Sequence, residues 1–201
     1  MTPGEPTPDR ARRSGGVVFA AVLLVAAGAG YGLVRAFPTR SDVLDAVGDP
    51  LPDLAPVDGA LVAAAREAGV DVSLLRALAA VESAGNPKAV SHKGAIGLLQ
   101  LLDTTAAEQA KKLKIAGPLD LTDPALNARL GARYLATLLA DFGGDEILAV
   151  AAYNAGPSNV RRWLARAADA DSHAVIDREG LPETRRHVDR ILRFRKMYAS
   201  R

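Results

Sequence analysis

An all-α domain is the fold class that this sequence predicts, and three observations carry it. From about Gly59 onward apolar residues recur at spacings of three and four, the period of one helix face. No segment shows the convincing apolar–polar alternation of a half-buried strand. Hydrophobic residues make up 49% of the chain but aromatics only 4%, so the core is built mostly of Ala, Leu and Val, and Ala and Leu rank high in helix propensity. At 201 residues the chain is long enough for one modest domain with additions.

The first addition is N-terminal. Residues 1–14 are polar and end in Arg10, Arg12 and Arg13, and Gly15 to Val34 then runs without a charge. A helix of that length spans about 30 Å, the thickness of a bilayer core. Arginines ahead of it favour a cytoplasmic N-terminus, although Arg35 and Arg40 weaken the asymmetry. A cleaved signal is the competing reading, with Ala27-Gly28-Ala29 as the cleavage site. Its apolar region would be shorter, about 7–15 residues, so the run is read as a kept transmembrane anchor over residues 15–34. Residues 35–58 carry Pro38, Pro50, Pro52 and Pro56 and read as a linker, with one short helical turn at Ser41 to Val47.

The helical domain occupies residues 59–201. Asp71 is placed to cap a helix through about Ala84, and Asp103 another through about Leu113. Asp123-Pro124 is a cap with proline at the first helical position, opening a helix that stops at Gly143-Gly144. A short helix runs from Asp145 to Tyr153, Ser158 caps the one carrying Trp163, and the last spans about Glu183 to Tyr198 with Val188, Ile191, Leu192 and Tyr198 inward.

Composition excludes several chemistries. With no cysteine there is no disulfide, thiol nucleophile, thiolate metal site or lipid-modified Cys. His92, His173 and His187 lack metal-ligand spacing, and serine elbows and phosphate-binding glycine loops are missing. A net charge of +2 does not imply nucleic acid, and so few aromatics make base stacking implausible. Arg186, Arg190 and Arg193, with Arg185 and Lys196 nearby, read as a solvated face of the last helix; contact with anionic wall polymer or lipid is the alternative.

Three segments carry candidate chemistry. Leu75, Leu78 and Glu82 share one helix face, so a carboxyl stands on an apolar stripe near a helix C-terminus. Burial and the negative helix end both oppose its ionisation. A carboxyl that stays protonated near neutral pH is what a general acid for glycosidic cleavage requires. Periodicity alone favours the plainer reading, an inward Glu held in a structural network. Gly85-Asn86-Pro87 stops the helix, and Gly94-Ala95-Ile96-Gly97-Leu98-Leu99-Gln100 follows, two glycines allowing close backbone approach before a polar Gln100. Ala152-Tyr153-Asn154-Ala155-Gly156-Pro157 places a phenol and an amide at a helix exit, serving either a ligand or packing and a cap.

Taken together, these segments resemble one family. Glu82-Ser83, Asn86-Pro87, Ala89, Ser91, Gly94-Ala95, Gly97-Leu98 and Gln100 resemble the signature of the soluble lytic transglycosylase (SLT) domain. Leu121, Asp123-Pro124, Asn127, Gly131 and Tyr134-Leu135 resemble its middle helix, Ala152 to Pro157 its third motif, and Pro182-Glu183-Thr184-Arg185 with Val188 and Tyr198 its closing helix. The resemblance covers about residues 60–200. Departures are Leu99 where the family often has Met, Leu102-Asp103 where it often has Met-Pro, and His187 where it often has Tyr.

The resemblance implies a lysozyme-like helical domain with an extended cleft. It implies cleavage of the MurNAc–GlcNAc bond of peptidoglycan with a 1,6-anhydro end and Glu82 as single acid/base. Ser91 and Gln100 would contact sugar groups, Tyr153 would orient Glu82, and Asn154 would line the cleft. No metal or cofactor is implied. Partners would be glycan strands, the membrane through the N-terminal helix, and envelope or secretion machinery. A hydrolase on the same fold, as in goose-type lysozymes, and a non-catalytic glycan-binding or assembly module are the alternatives.

Overall fold

The computed structural model describes residues 50–167 and 171–200. The expected anchor at 15–34, the turn at 41–47 and most of the linker lie outside them. Eight helices are present among the described residues, with no strand, and none of these helices is long and apolar enough to cross a membrane.

α1 (Asp58–Ala68) ends at Gly69 in the left-handed conformation. α2 (Val72–Ser83) opens where Asp71 accepts the Leu74 N–H at 2.8 Å, and closes at Ala84, whose N–H returns to the Ala79 and Ala80 carbonyls. α3 spans Asp103–Lys112, α4 Pro124–Asp141, α5 Glu146–Ala155, α6 Pro157–Arg166, α7 Ser172–Glu179 and α8 Pro182–Ala199. Asp123 caps α4 by accepting from Ala125, with Pro124 in its first turn. Asp145 caps α5 by accepting from Leu148.

Two caps differ from expectation. Asp103 is the first helical residue of α3 rather than its cap. Leu101 exchanges both backbone hydrogen bonds with Ile96, at 2.9 and 3.0 Å. The chain therefore leaves that bridge extended through Leu102 and turns helical only at Asp103, whose carboxylate suits the positive helix end. Ser158 lies inside α6, which begins at Pro157. Gly156, at φ 84°, reverses the chain directly after α5, and the fixed φ of proline then starts the next helix at once. The sequence pattern does not predict helix α7, which is capped by Asp171 on the Ala174 N–H: eight residues with two buried side chains carry too little periodicity.

The end of the predicted linker belongs to the domain. Leu54 and Val57 are buried in the main core, and the Tyr198 hydroxyl donates to the Pro52 carbonyl at 2.8 Å. The compact unit therefore begins at Pro50.

At the centre is α5, with Leu148 through Ala152 all buried. A helix apolar all round must be enclosed, and α4, α6, α7 and α8 pack on it. α8 lies along α2, and α1 along α4. The main core joins these elements. A second, smaller cluster of Leu101, Ala106, Ala110, Leu121 and Leu130 sits under the loop that follows α2, and Tyr153 packs against both.

The arginines of α8 are more engaged than a solvated face. Arg185 donates to the Asp177 carbonyl at 2.8 Å and Arg186 to that of Pro182 at 3.2 Å. Arg190 and Arg193 stand over the Phe194 ring at 5.8 and 5.6 Å. Arg195 meets Glu146 at 2.6 Å and Asp71 at 3.7 Å, joining α8 to the N-terminal ends of α5 and α2.

Candidate active site

The last turn of α2 carries Glu82 on the same face as Leu75 and Leu78, both fully buried. Its side chain is 16% exposed, and burial pushes its carboxyl up to about 8. At neutral pH Glu82 therefore holds a proton, the state expected of a general acid. His187 of α8 brings Nε2 to 3.4 Å from Glu82 Oε1. Burial, then the Arg190 charge, pulls the imidazole down to about 4, so His187 is neutral beside a neutral acid. That distance exceeds good hydrogen-bond geometry, and the buried Nε2 has no hydrogen-bond partner.

The loop after α2 is tied down from three sides. Ser83 donates to the Leu98 carbonyl at 2.8 Å, fixing the loop to the helix end beside Glu82. Asn127, wholly buried in α4, accepts the Leu99 N–H at 2.7 Å and donates to the Ile96 and Leu121 carbonyls at 2.9 and 3.0 Å. The Tyr153 hydroxyl of α5 donates to the Leu99 carbonyl at 2.8 Å. Gly97, at φ 83°, fits against this hub because it lacks a Cβ, which would lie 2.2 Å from the Leu121 carbonyl oxygen and 2.3 Å from Asn127 Nδ2.

The other sequence-derived residues fall as follows. Tyr153 is next to Glu82, whose charge, after burial, helps raise the phenol well above its ordinary range. Its hydroxyl bonds the loop rather than the carboxyl, and its ring tilts against Tyr134 at 5.1 Å. Gln100, at φ 46°, donates its amide hydrogens to the Gly97 and Ala89 carbonyls at 2.9 and 3.2 Å. Ser91 Oγ accepts the Ala95 N–H at 3.0 Å. Exposed Asn154 accepts from buried Thr184 at 2.9 Å, tying the end of α5 to the start of α8. A separate open concavity of about 690 Å³, lined among others by Asp145, His173, Asp189 and Arg195, includes none of these residues.

Two members of the site went unassigned in the sequence. Asn127 stood only as part of a helix motif; a buried amide among apolar neighbours was the available signal. His187 sits three residues after Thr184 and four before Ile191, both buried. The period that found the inward stripe of α8 thus also placed His187 at its edge.

Comparison with known proteins accords with this arrangement. Residues 60–176 match the family described as Transglycosylase SLT domain. The soluble lytic murein transglycosylase of Escherichia coli K12 is 39% identical over 130 residues, covering 63% of this chain and 20% of that protein. A membrane-bound lytic murein transglycosylase C from Sodalis glossinidius is 34% identical over 114 residues, covering 51% of this chain and 32% of that protein. The chain thus spans about a fifth to a third of these relatives. Among solved structures, the 70 kDa soluble lytic transglycosylase of E. coli superposes with a TM-score of 0.67 at 34% identity, over 71% of this chain and 24% of that one. An inactive Glu-to-Gln mutant of the Pseudomonas aeruginosa lytic transglycosylase Slt superposes with a TM-score of 0.65 at 36% identity, with the same coverage of both chains.

Proposed function

The chain belongs to the transglycosylase SLT-domain family, and from that premise we propose that it is a peptidoglycan lytic transglycosylase whose single acid/base is Glu82. The observation that carries the reading is a carboxyl held neutral by burial, its oxygen facing a neutral imidazole, at the end of a helix braced by a fixed loop. That one relative is inactive with a single Glu-to-Gln change fits a mechanism hung on one carboxyl.

The chemistry follows from that state. Glu82 gives its proton to the glycosidic oxygen as the MurNAc C1–O bond breaks, and positive charge grows at C1. The carboxylate left behind takes the proton of the MurNAc C6 hydroxyl. That oxygen attacks C1, closing the 1,6-anhydro ring and returning Glu82 to its acid form. Holding the internal hydroxyl near C1 replaces the second carboxylate of a hydrolase. Gln100 presents its amide carbonyl, and Ser91 its hydroxyl, to sugar groups. Tyr153 acts through the loop that frames Glu82, and Asn154 borders the strand's path.

Product mass tests the reaction type. Digestion of purified sacculi by residues 50–201 should yield muropeptides lighter by one water than hydrolytic products. Reducing muramic acid ends alone would make the enzyme a hydrolase. We also propose that residues 15–34 anchor the chain in the cytoplasmic membrane, with the catalytic unit outside the cytoplasm among envelope partners. The full chain should sediment with membranes and keep its N-terminus; a mature N-terminus near Gly30 would instead mark a cleaved signal.

A further inference from the structure

The mechanism above leaves His187 unused. Its imidazole is only 11% exposed, and its Nε2 is a buried polar atom without a hydrogen bond. Such orphaned groups are uncommon and each calls for a reason. The polar atom set against this one is Glu82 Oε1, at 3.4 Å. The Glu82 side chain beside this contact is still 16% exposed.

We propose that His187 is a positioning residue which, with its proton on Nε2, holds Oε1 of Glu82 so that Oε2 alone exchanges protons with substrate. This rests on the reading of Glu82 as the acid/base. The 3.4 Å separation is consistent with a protonated carboxyl, which attracts a neutral N–H only weakly. Once Glu82 has given up its proton, the same contact becomes a charge-assisted hydrogen bond, which is shorter and about twice as strong. His187 thus favours the carboxylate that must form midway through the cycle. It does so without a full positive charge, which would ionise Glu82 before substrate arrives.

Packing supports a fixed rather than wandering imidazole. The buried Thr184 and Val188 flank His187 on its own helix, and Thr184 is locked to Asn154 of α5. The charged and titratable groups acting on the pair are Arg190, one turn along α8, and Tyr153 from α5. Burial, and then the Arg190 charge, keep the imidazole from taking a proton, and Tyr153 remains a neutral phenol.

The test compares His187→Phe, which keeps a ring of similar bulk but no donor, with His187→Gln, whose amide places an N–H near the position of Nε2. His187→Phe should lower kcat about tenfold or more, the range for one lost hydrogen bond to a charged group, with KM little changed. Removing a donor to the charged form also raises the carboxyl's pKa, so the alkaline limb of activity should move upward. His187→Gln should restore both. A kcat for His187→Phe within twofold of wild type with its alkaline limb unmoved, or a His187→Gln as slow as His187→Phe, would overturn the proposal. Nitrogen NMR of the wild-type imidazole needs no variant fold. It should show an Nε2–H tautomer whose shift steps with Glu82 ionisation; an Nδ1–H tautomer throughout would refute it. Glu82→Gln activity separates the two levels: a mutant as active as wild type removes the premise, whereas a dead Glu82→Gln beside an unaffected His187→Phe removes only the role of His187.

Discussion

Glu82→Gln should lose muropeptide release by about a hundredfold or more, the usual cost of removing a general acid, and should at the same time be more stable than wild type in alkaline solution. Both effects have one cause. The Glu82 carboxyl moves from its ordinary 4.5 to about 8 because burial disfavours its charge. In the unfolded chain it ionises near 4.5, while the folded protein keeps the proton until about 8. Between these values the native state binds more protons than the unfolded state, so stability falls as pH rises. This contribution is fully present below about 4.5 and lost once pH passes about 8, a difference of the order of a few kcal/mol. Glutamine has no such ionisation. Thermal melts from pH 5 to 9 should therefore show the mutant gaining on wild type as pH increases, by several degrees at the alkaline end. Parallel melts of the two proteins across this range would remove burial as the cause of the raised pKa, and full activity of the mutant would remove Glu82 as the catalyst.

Asn127→Leu should unfold the site from beneath. The Asn127 side chain makes three hydrogen bonds, to Leu99, Ile96 and Leu121, all reaching one loop or the segment before α4. Leucine is close in volume but makes none of them. It leaves the buried Leu99 N–H and the Leu121 carbonyl without this partner, while the Ile96 carbonyl keeps its bond from Leu101. Each unsatisfied buried group costs about 1–3 kcal/mol, so the sum is a large part of the 5–15 kcal/mol typical of a domain. A fall in melting temperature of about 10 °C or more is expected by calorimetry. Activity should fall further than stability explains, because the Leu99 carbonyl holds Tyr153 and the Leu98 carbonyl holds Ser83, the neighbour of Glu82. A melt within 2–3 °C of wild type, about 1 kcal/mol, would show that the loop does not depend on this amide.

Local signals located the helices well where cap and period agreed. Asp71 and Asp123 cap α2 and α4 as their positions before apolar periods predict. They failed where a tertiary contact set the boundary: the Ile96–Leu101 bridge moved the start of α3, and packing of Leu54 and Val57 drew the end of a proline-rich linker into the core. The candidate site was legible as types of residue but not as partnerships. The resemblance implies that Tyr153 orients Glu82 and that Gln100 contacts sugar, and in the fold the donors of both side chains meet loop carbonyls. No spacing rule could have shown this, because hydrogen-bond partners 54 residues apart are chosen by the fold.

What the sequence by itself determined is the all-α character of the domain, the apolar face on which Glu82 stands and the motifs that place the chain in its family, because helix period, caps and glycine positions are properties of neighbours along the chain. Only the tertiary structure decided that α8 lies along α2 and sets His187 against Glu82, and that Asn127 holds the loop in place. Burial is what raises the Glu82 carboxyl to about 8, and burial is made by elements distant in sequence. The acid was therefore readable as a residue, but its acidity belongs to the fold.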